Sequence, residues 1–285
     1  MGIALASVCL IVFTGALVRL TGSGLGCTDW PRCNETKFVD VSTGHTMIEQ
    51  VNRLFTGVVS ASVIAAVLLS YLRKPRRADL VKLSWGLIIG VLAQVVIGGI
   101  VVLTGLNPFA NMTHFLVSII LVTNAFILYR RSTNHPPAAY IRRLAPGGSS
   151  LLMMLAVISA IAVVTGTIVT ATGPHAGDEN AVRFGFALTS VARLHGLAVI
   201  LTVAFIVYLA VKAKKWADKK FIDAIQTLLI VSCFQAAIGY TQYFTGVPEL
   251  LVMAHLLGVV ILWSALVRHG IRTHAFVLRA HRASK

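Results

Sequence analysis

Charge is scarce in this chain: Asp, Glu, Lys and Arg make up 12% of its 285 residues, and acids number only ten. That shortage excludes a soluble domain, in which about a quarter of residues are charged. Cysteine is scarce as well. Of four, Cys9 and Cys233 fall in apolar runs as inert packing, which leaves Cys27 and Cys33, too few for a metal site of their own. No basic segment precedes the first apolar run and no small-residue cleavage site stands before Arg19, so that run reads as a retained helix, with room for an upstream start. Met1-Gly2 without Ser or Thr at position 6 excludes myristoylation.

What the chain has is apolar length. Hydrophobic side chains make up 56% and mean hydropathy is +0.82. A hydrocarbon layer about 30 Å thick takes about 20 residues of helix. Eight blocks meet that need, near 2–20, 46–71, 80–103, 108–129, 149–171, 184–211, 221–244 and 249–267. Helices are expected because each span must satisfy its own backbone hydrogen bonds in lipid. The fold class is therefore an all-α polytopic membrane protein with eight transmembrane helices.

A net charge of +15 suggests nucleic acid, but its distribution argues against that. Basic residues gather in alternate loops: 73–82, 130–143, 212–220 and 268–285 hold 19 of the 25 Lys and Arg, and seven of the ten acids lie on or near the other side. The positive-inside rule then puts both termini in the cytoplasm, with the basic runs as topology anchors.

A stretch occurs twice. Gln94, Ile97-Gly98, Thr104-Gly105 and Met112-Thr-His114 correspond to Gln235, Ile238-Gly239, Thr245-Gly246 and Met253-Ala-His255, without a gap over 28 positions at an offset of 141, with ten identities. Thr14-Gly15 likewise matches Thr165-Gly166. The chain divides into 1–130, a cytoplasmic linker 131–148, and 149–285 with a short basic tail. The halves are expected as tandem, parallel-repeat four-helix bundles, with cofactor sites between facing helices. Gly57, Gly86, Gly90, Gly98, Gly99 and Gly239 are expected to let helices pack closely.

Of nine histidines, only His114, His195 and His255 lie well inside spans. An ionisable group at such depth is a functional candidate; the structural alternative is a neutral ring bonded to a carbonyl. His195 and His255 can face each other across the second bundle, and two neutral imidazoles on opposite sides of an iron porphyrin form a low-spin, electron-transferring site. Isolated zinc would want more ligands than are near. The counterpart of His195, at an offset of 143, is Asn52, a poor iron ligand, so the first-half site is expected to keep one position open. Glu49, one turn before Asn52, points toward the same pocket or pairs with Arg53. His45 shares that helical face but stands about 10 Å above Asn52. Cys27 and Cys33 lie on the oxidising side, six residues apart, where a structural or a redox-active disulfide can close.

Gly15-Ala-Leu-Val-Arg-Leu-Thr-Gly-Ser-Gly-Leu-Gly-Cys27, Trp30-Pro31, Cys33, Ile48-Glu49, Asn52-Arg53 and the two histidine repeats together resemble the haem A synthase family over essentially all eight spans. The family oxidises the C8 methyl of haem O to the formyl group of haem A for aa3-type oxidases. The resemblance implies that His195 and His255 hold a haem b, that His114 ligates the substrate haem O iron, that Glu49 is the functional carboxylate, and that Cys27 and Cys33 are the outer-loop pair. It implies a bacterial plasma-membrane location. It also implies haem O synthase (protohaem farnesyltransferase) and an electron donor as partners, with a homo-oligomer left open. Two departures are that many members have His in place of Asn52 and that residues 173–183 lack a cysteine pair. One competing reading is a bis-His b-type cytochrome passing electrons from quinol to a partner. It would need two complete histidine pairs and no carboxylate. The other, a transporter, would need broken helices with mid-membrane polar groups, and few are present.

Overall fold

The computed structural model describes residues 1–133, 148–216 and 219–283, with side chains described over 1–133, 150–212 and 222–268. Most of the expected linker lies outside these, as do Arg142, Arg143 and His135. Eight helices follow in order: α1 Gly2–Leu20, α2 Gly44–Leu72, α3 Ala78–Leu103, α4 Pro108–Thr133, α5 Gly148–Thr172, α6 Leu188–Trp216, α7 Lys219–Phe244 and α8 Glu249–Ala283. Each contains a stretch long and apolar enough to cross a membrane, and no strand occurs among the described residues. Several boundaries differ from expectation, and α4 and α6 end four and five residues later than the hydropathy blocks. Helix α6 starts four residues late, because Phe184 instead gives its N–H to the Ala171 carbonyl. Helix α8 runs on past Val267, because helical hydrogen bonding does not end where hydropathy does.

Local chemistry fixes the ends. Thr43 caps α2: its hydroxyl accepts the Thr46 N–H (3.2 Å) and the Thr46 hydroxyl accepts the Thr43 N–H (3.0 Å). At the other end of the spans, Arg73 and Arg77 donate to the Ser132 and Arg131 carbonyls at the C-terminus of α4, where cations also meet the negative end of the helix dipole. The α3–α4 and α7–α8 turns are alike. Gly105 and Gly246 take φ of 61° and 81°, and the Leu106 and Val247 N–H groups each reach back 2.8 Å, to Val101 and Gln242. This shared turn sets the register between the glutamine arm and the histidine arm of each hairpin.

The chain forms two compact units, one of residues 1–133 with 167–188, the other of 134–166 with 189–285. In the first, α1 packs on α2 and α4, and α3 packs on α2 and α4, around Val8, Val59, Val63, Leu87 and Val122. Residues 167–188 join it through the Gly24 N–H on Gly177 (2.8 Å), the Arg19 guanidinium on the His175 and Thr170 carbonyls (2.6 and 2.9 Å), and an apolar cluster of Val101, Leu106, Ala176 and Ala181. In the second unit all four helices supply the core: Leu152, Leu155, Ile206, Leu209, Ile225, Leu228 and Leu266. Ile89, Ile120 and Phe234 are each more than 60% exposed. Outward-facing residues of this size suit a bundle dissolved in lipid, where apolar surface carries no penalty.

The expected glycines do not share one role. A Cβ at Gly86 or Gly90 would strike Asn124 or Leu121 of α4, as close helix packing requires. Gly99 lies under the Trp30 indole, and Gly57 faces open space. Gly98 and Gly239 lie against histidine rings.

Candidate functional site

In the second unit, His195 of α6 and His255 of α8 stand with ring centroids 6.4 Å apart and planes at 84°. Each ring rests on a glycine of the preceding helix. A Cβ at Gly166 would come 3.1 Å from Cε1 of His195, and one at Gly239 would come 2.9 Å from Cε1 of His255. Such approaches are closer than real Cβ contacts normally allow, so the rings lie flush on bare backbone. Thr165, just before Gly166, places its hydroxyl 3.2 Å from Nδ1 of His195 and donates to the Ile161 or Ala162 carbonyl (2.9 and 3.0 Å). With its single proton spent there, Thr165 accepts from Nδ1–H, and Nε2 of His195 keeps its lone pair for a ligand. Gln235 clamps the other arm, donating to the His255 carbonyl at 2.7 Å.

The first unit repeats half of this. Gln94 donates to the His114 carbonyl (3.1 Å) and to the Ser118 hydroxyl (2.5 Å), and a Cβ at Gly98 would stand 3.4 Å from Cε1 of His114. Asn52 takes the place of His195, and the Thr14 hydroxyl donates to its Oδ1 at 2.7 Å. The alternative of a ring tied to a nearby carbonyl does not hold for His114, whose Nδ1 is buried without a hydrogen-bond partner. A buried polar atom left unpaired costs about 1–3 kcal/mol, so this ring is not kept at its depth by hydrogen bonding of that nitrogen.

Glu49 is buried, and both its oxygens are engaged. Oε2 accepts the Cys27 N–H at 2.7 Å, while Oε1 accepts from Arg53 at 3.0 and 2.5 Å. Arg53 also donates to the carbonyls of Cys27, Asp29 and Arg32. One i,i+4 ion pair on α2 therefore gathers the loop that Cys27 and Cys33 close as a disulfide. Glu49 is the only buried acid inside a span among the described residues. Farther along the loop, hydrogen bonds from the side chain and backbone of Ser42 hold the Asp40 carboxyl down at about 2. His45 is exposed, with Nδ1 2.9 Å from the Ser23 hydroxyl, so it serves the outer loop. The disulfide spans six residues, and closing so short a loop is worth about 2 kcal/mol through chain entropy. Replacing both cysteines by serine is expected to lower the melting midpoint by a few degrees in detergent. The second unit's imidazole pair should stay intact, because Arg53 still holds the loop. Protein lost from the membrane altogether would contradict that.

Among the described residues no three His, Cys, Asp or Glu side chains converge on a metal position. With metal–imidazole bonds of about 2 Å and roughly 1 Å more to each ring centre, axial imidazoles of one iron stand about 6 Å apart. His195 and His255 fit that spacing. Residue type alone gives the glycine seats and the threonine no functional mark. Their signal was the repeat itself, which sets Thr-Gly and Gln-x-x-x-Gly in both halves.

The family described as "Cytochrome oxidase assembly protein" (COX15-CtaA) matches residues 1–43 and 36–177. The chain is similar to the "Heme A synthase" of Listeria monocytogenes serotype 4a, 26% identical over 271 residues, covering 90% of this chain and 88% of that one. It is also similar to those of Geobacillus kaustophilus, 33% identical over 121 residues (42% and 38%), and Lysinibacillus sphaericus, 34% over 120 residues (42% and 39%).

Proposed function

Because the chain belongs to the COX15-CtaA family of cytochrome oxidase assembly proteins, we propose that it is a haem A synthase, a multi-pass bacterial membrane oxidoreductase converting haem O to haem A. The observation that carries this reading is the seated pair His195 and His255, repeated as a half-pair at His114. A protein that only relays electrons has no use for so unequal a pair of sites.

In this reading His195 and His255 hold a haem b, and the group they hold supplies one-electron transfer. Thr165 fixes the tautomer of His195, and Gln235 fixes the backbone that carries His255. His114 would hold the substrate haem O, with Asn52 at the position that corresponds to His195. Oxidising a methyl group to a formyl group removes protons and electrons together. Glu49 handles the proton or the positive charge that develops, and Arg53 holds its carboxylate in place. The basic loops put both termini in the cytoplasm, with this chemistry toward the outer ends of the spans. An electron donor and haem O synthase are the partners this reading requires.

The chain expressed with a source of haem O is expected to yield haem A among the extracted haems, identified by mass. Haem O recovered unchanged, with a low-spin haem spectrum present, would leave the electron-relay reading in its place.

A further inference from the structure

Three imidazoles in this protein sit on glycine: His195 on Gly166, His255 on Gly239 and His114 on Gly98. The repeat contains a fourth such seat, at Gly15, and there nothing lies within 4 Å of the place a Cβ would take. Thr14 stands to Asn52 as Thr165 stands to His195. Each threonine directly precedes its glycine and places its hydroxyl within reach of both a carbonyl one turn earlier and the residue on the next helix (Ile11 at 3.3 Å and Asn52 at 2.7 Å; Ile161 at 2.9 Å and His195 at 3.2 Å); with one proton each, Thr14 gives its own to the nearer Asn52 and Thr165 gives its own to the carbonyl. The seat is intact although its histidine is missing. A carboxamide is shorter than an imidazole, so the space above Gly15 stays open. Thr14 donates to Oδ1, which leaves both protons of Nδ2 without an acceptor among the described residues.

We propose that Thr14 and Gly15 form an imidazole seat held open by Asn52, and that Thr14 is a positioning residue whose bond to Oδ1 presents Nδ2 as a hydrogen-bond donor to a small acceptor ligand at an iron held by His114. This rests on the reading above that His114 binds haem iron. Where the second unit fills both axial positions with its own side chains, the first holds one axial position for an exchangeable ligand and supplies a donor beside it. A neutral donor of this kind favours small ligands with an accepting atom, azide or cyanide, over carbon monoxide, which accepts hydrogen bonds poorly.

The test uses the full-length protein purified with haem O, titrated with azide in the ferric state and followed by visible and electron paramagnetic resonance spectra. Azide is expected to bind one haem and leave the low-spin bis-imidazole signal of His195 and His255 unchanged. That second signal reports proper folding in every variant. Asn52→Leu is expected to weaken azide roughly tenfold to a hundredfold, the range for losing a hydrogen bond to a charged acceptor. Thr14→Val, which keeps the shape and removes the donor, should weaken it about tenfold. Asn52→His is expected to abolish azide binding and add a second low-spin bis-imidazole signal. Adding Gly15→Leu to Asn52→His should remove that new signal again. Azide binding unaffected by Asn52→Leu and Thr14→Val, or surviving in Asn52→His without a new low-spin signal, would overturn this inference alone. A colourless protein would overturn it together with the reading beneath it.

Discussion

Alanine in place of His195 or His255 is expected to eliminate the low-spin bis-imidazole spectrum of the purified protein and to weaken haem b retention by well over a hundredfold. The bound for comparison is the roughly 10–100-fold cost of losing only an outer-shell partner of a metal ligand, and here the ligand itself goes. The two variants should behave alike, since the rings share one pair geometry at 6.4 Å. They also leave the packing largely alone: each ring lies on a bare glycine, so its removal opens space without stranding a neighbouring polar side chain, except that Thr165 loses its partner when His195 goes. Absorption and electron paramagnetic resonance spectra after purification from haem-replete cells make the measurement. A full low-spin signal in either variant would take the iron away from these residues.

Glu49→Gln is expected to lower haem A formation by about 10²- to 10⁴-fold, the usual contribution of a group that handles a proton in the rate-limiting step, and to let haem O accumulate in the membrane. The substitution is nearly isosteric, and its remaining oxygen can still accept the Cys27 N–H. Arg53 loses its countercharge but keeps the Cys27, Asp29 and Arg32 carbonyls. The stability cost should therefore fall well below the 3–5 kcal/mol of a buried pair broken without compensation, since the Arg53 side chain is itself partly exposed. Haem extraction reads the activity, and the His195–His255 spectrum reads the fold. Wild-type haem A production would remove Glu49 from the chemistry. A parallel loss of the spectrum would reduce it to a clamp for the disulfide loop.

The eight spans were readable from the sequence because the thickness of hydrocarbon dictates their length, and seven of eight starts fall within two residues of expectation. The miss at Phe184 came from an apolar run that turns to hydrogen-bond backward, and periodicity does not register that. The histidines were readable too, since imidazole in a span is conspicuous. What supports them was not, because glycine is a featureless signal until something is seen lying on it. Likewise Arg53 looked like one half of an ion pair. In the fold it also collects three carbonyls of a loop some twenty residues away, bonds that leave no trace in its spacing from Glu49.

The repeat suggests that the chain could be severed between its halves, but residues 167–188 fold with the first unit. A fragment ending at Thr133 would keep α1 to α4 and lose the carbonyls of Thr170 and His175, on which the Arg19 guanidinium depends, along with the acceptor for the Gly24 N–H. It would also bare Val101 and Leu106, which Ala176 and Ala181 cover. Duplication wrote the message twice, yet the first copy is completed by residues from the opening of the second, so a cut between the repeats is not a cut between the folded units.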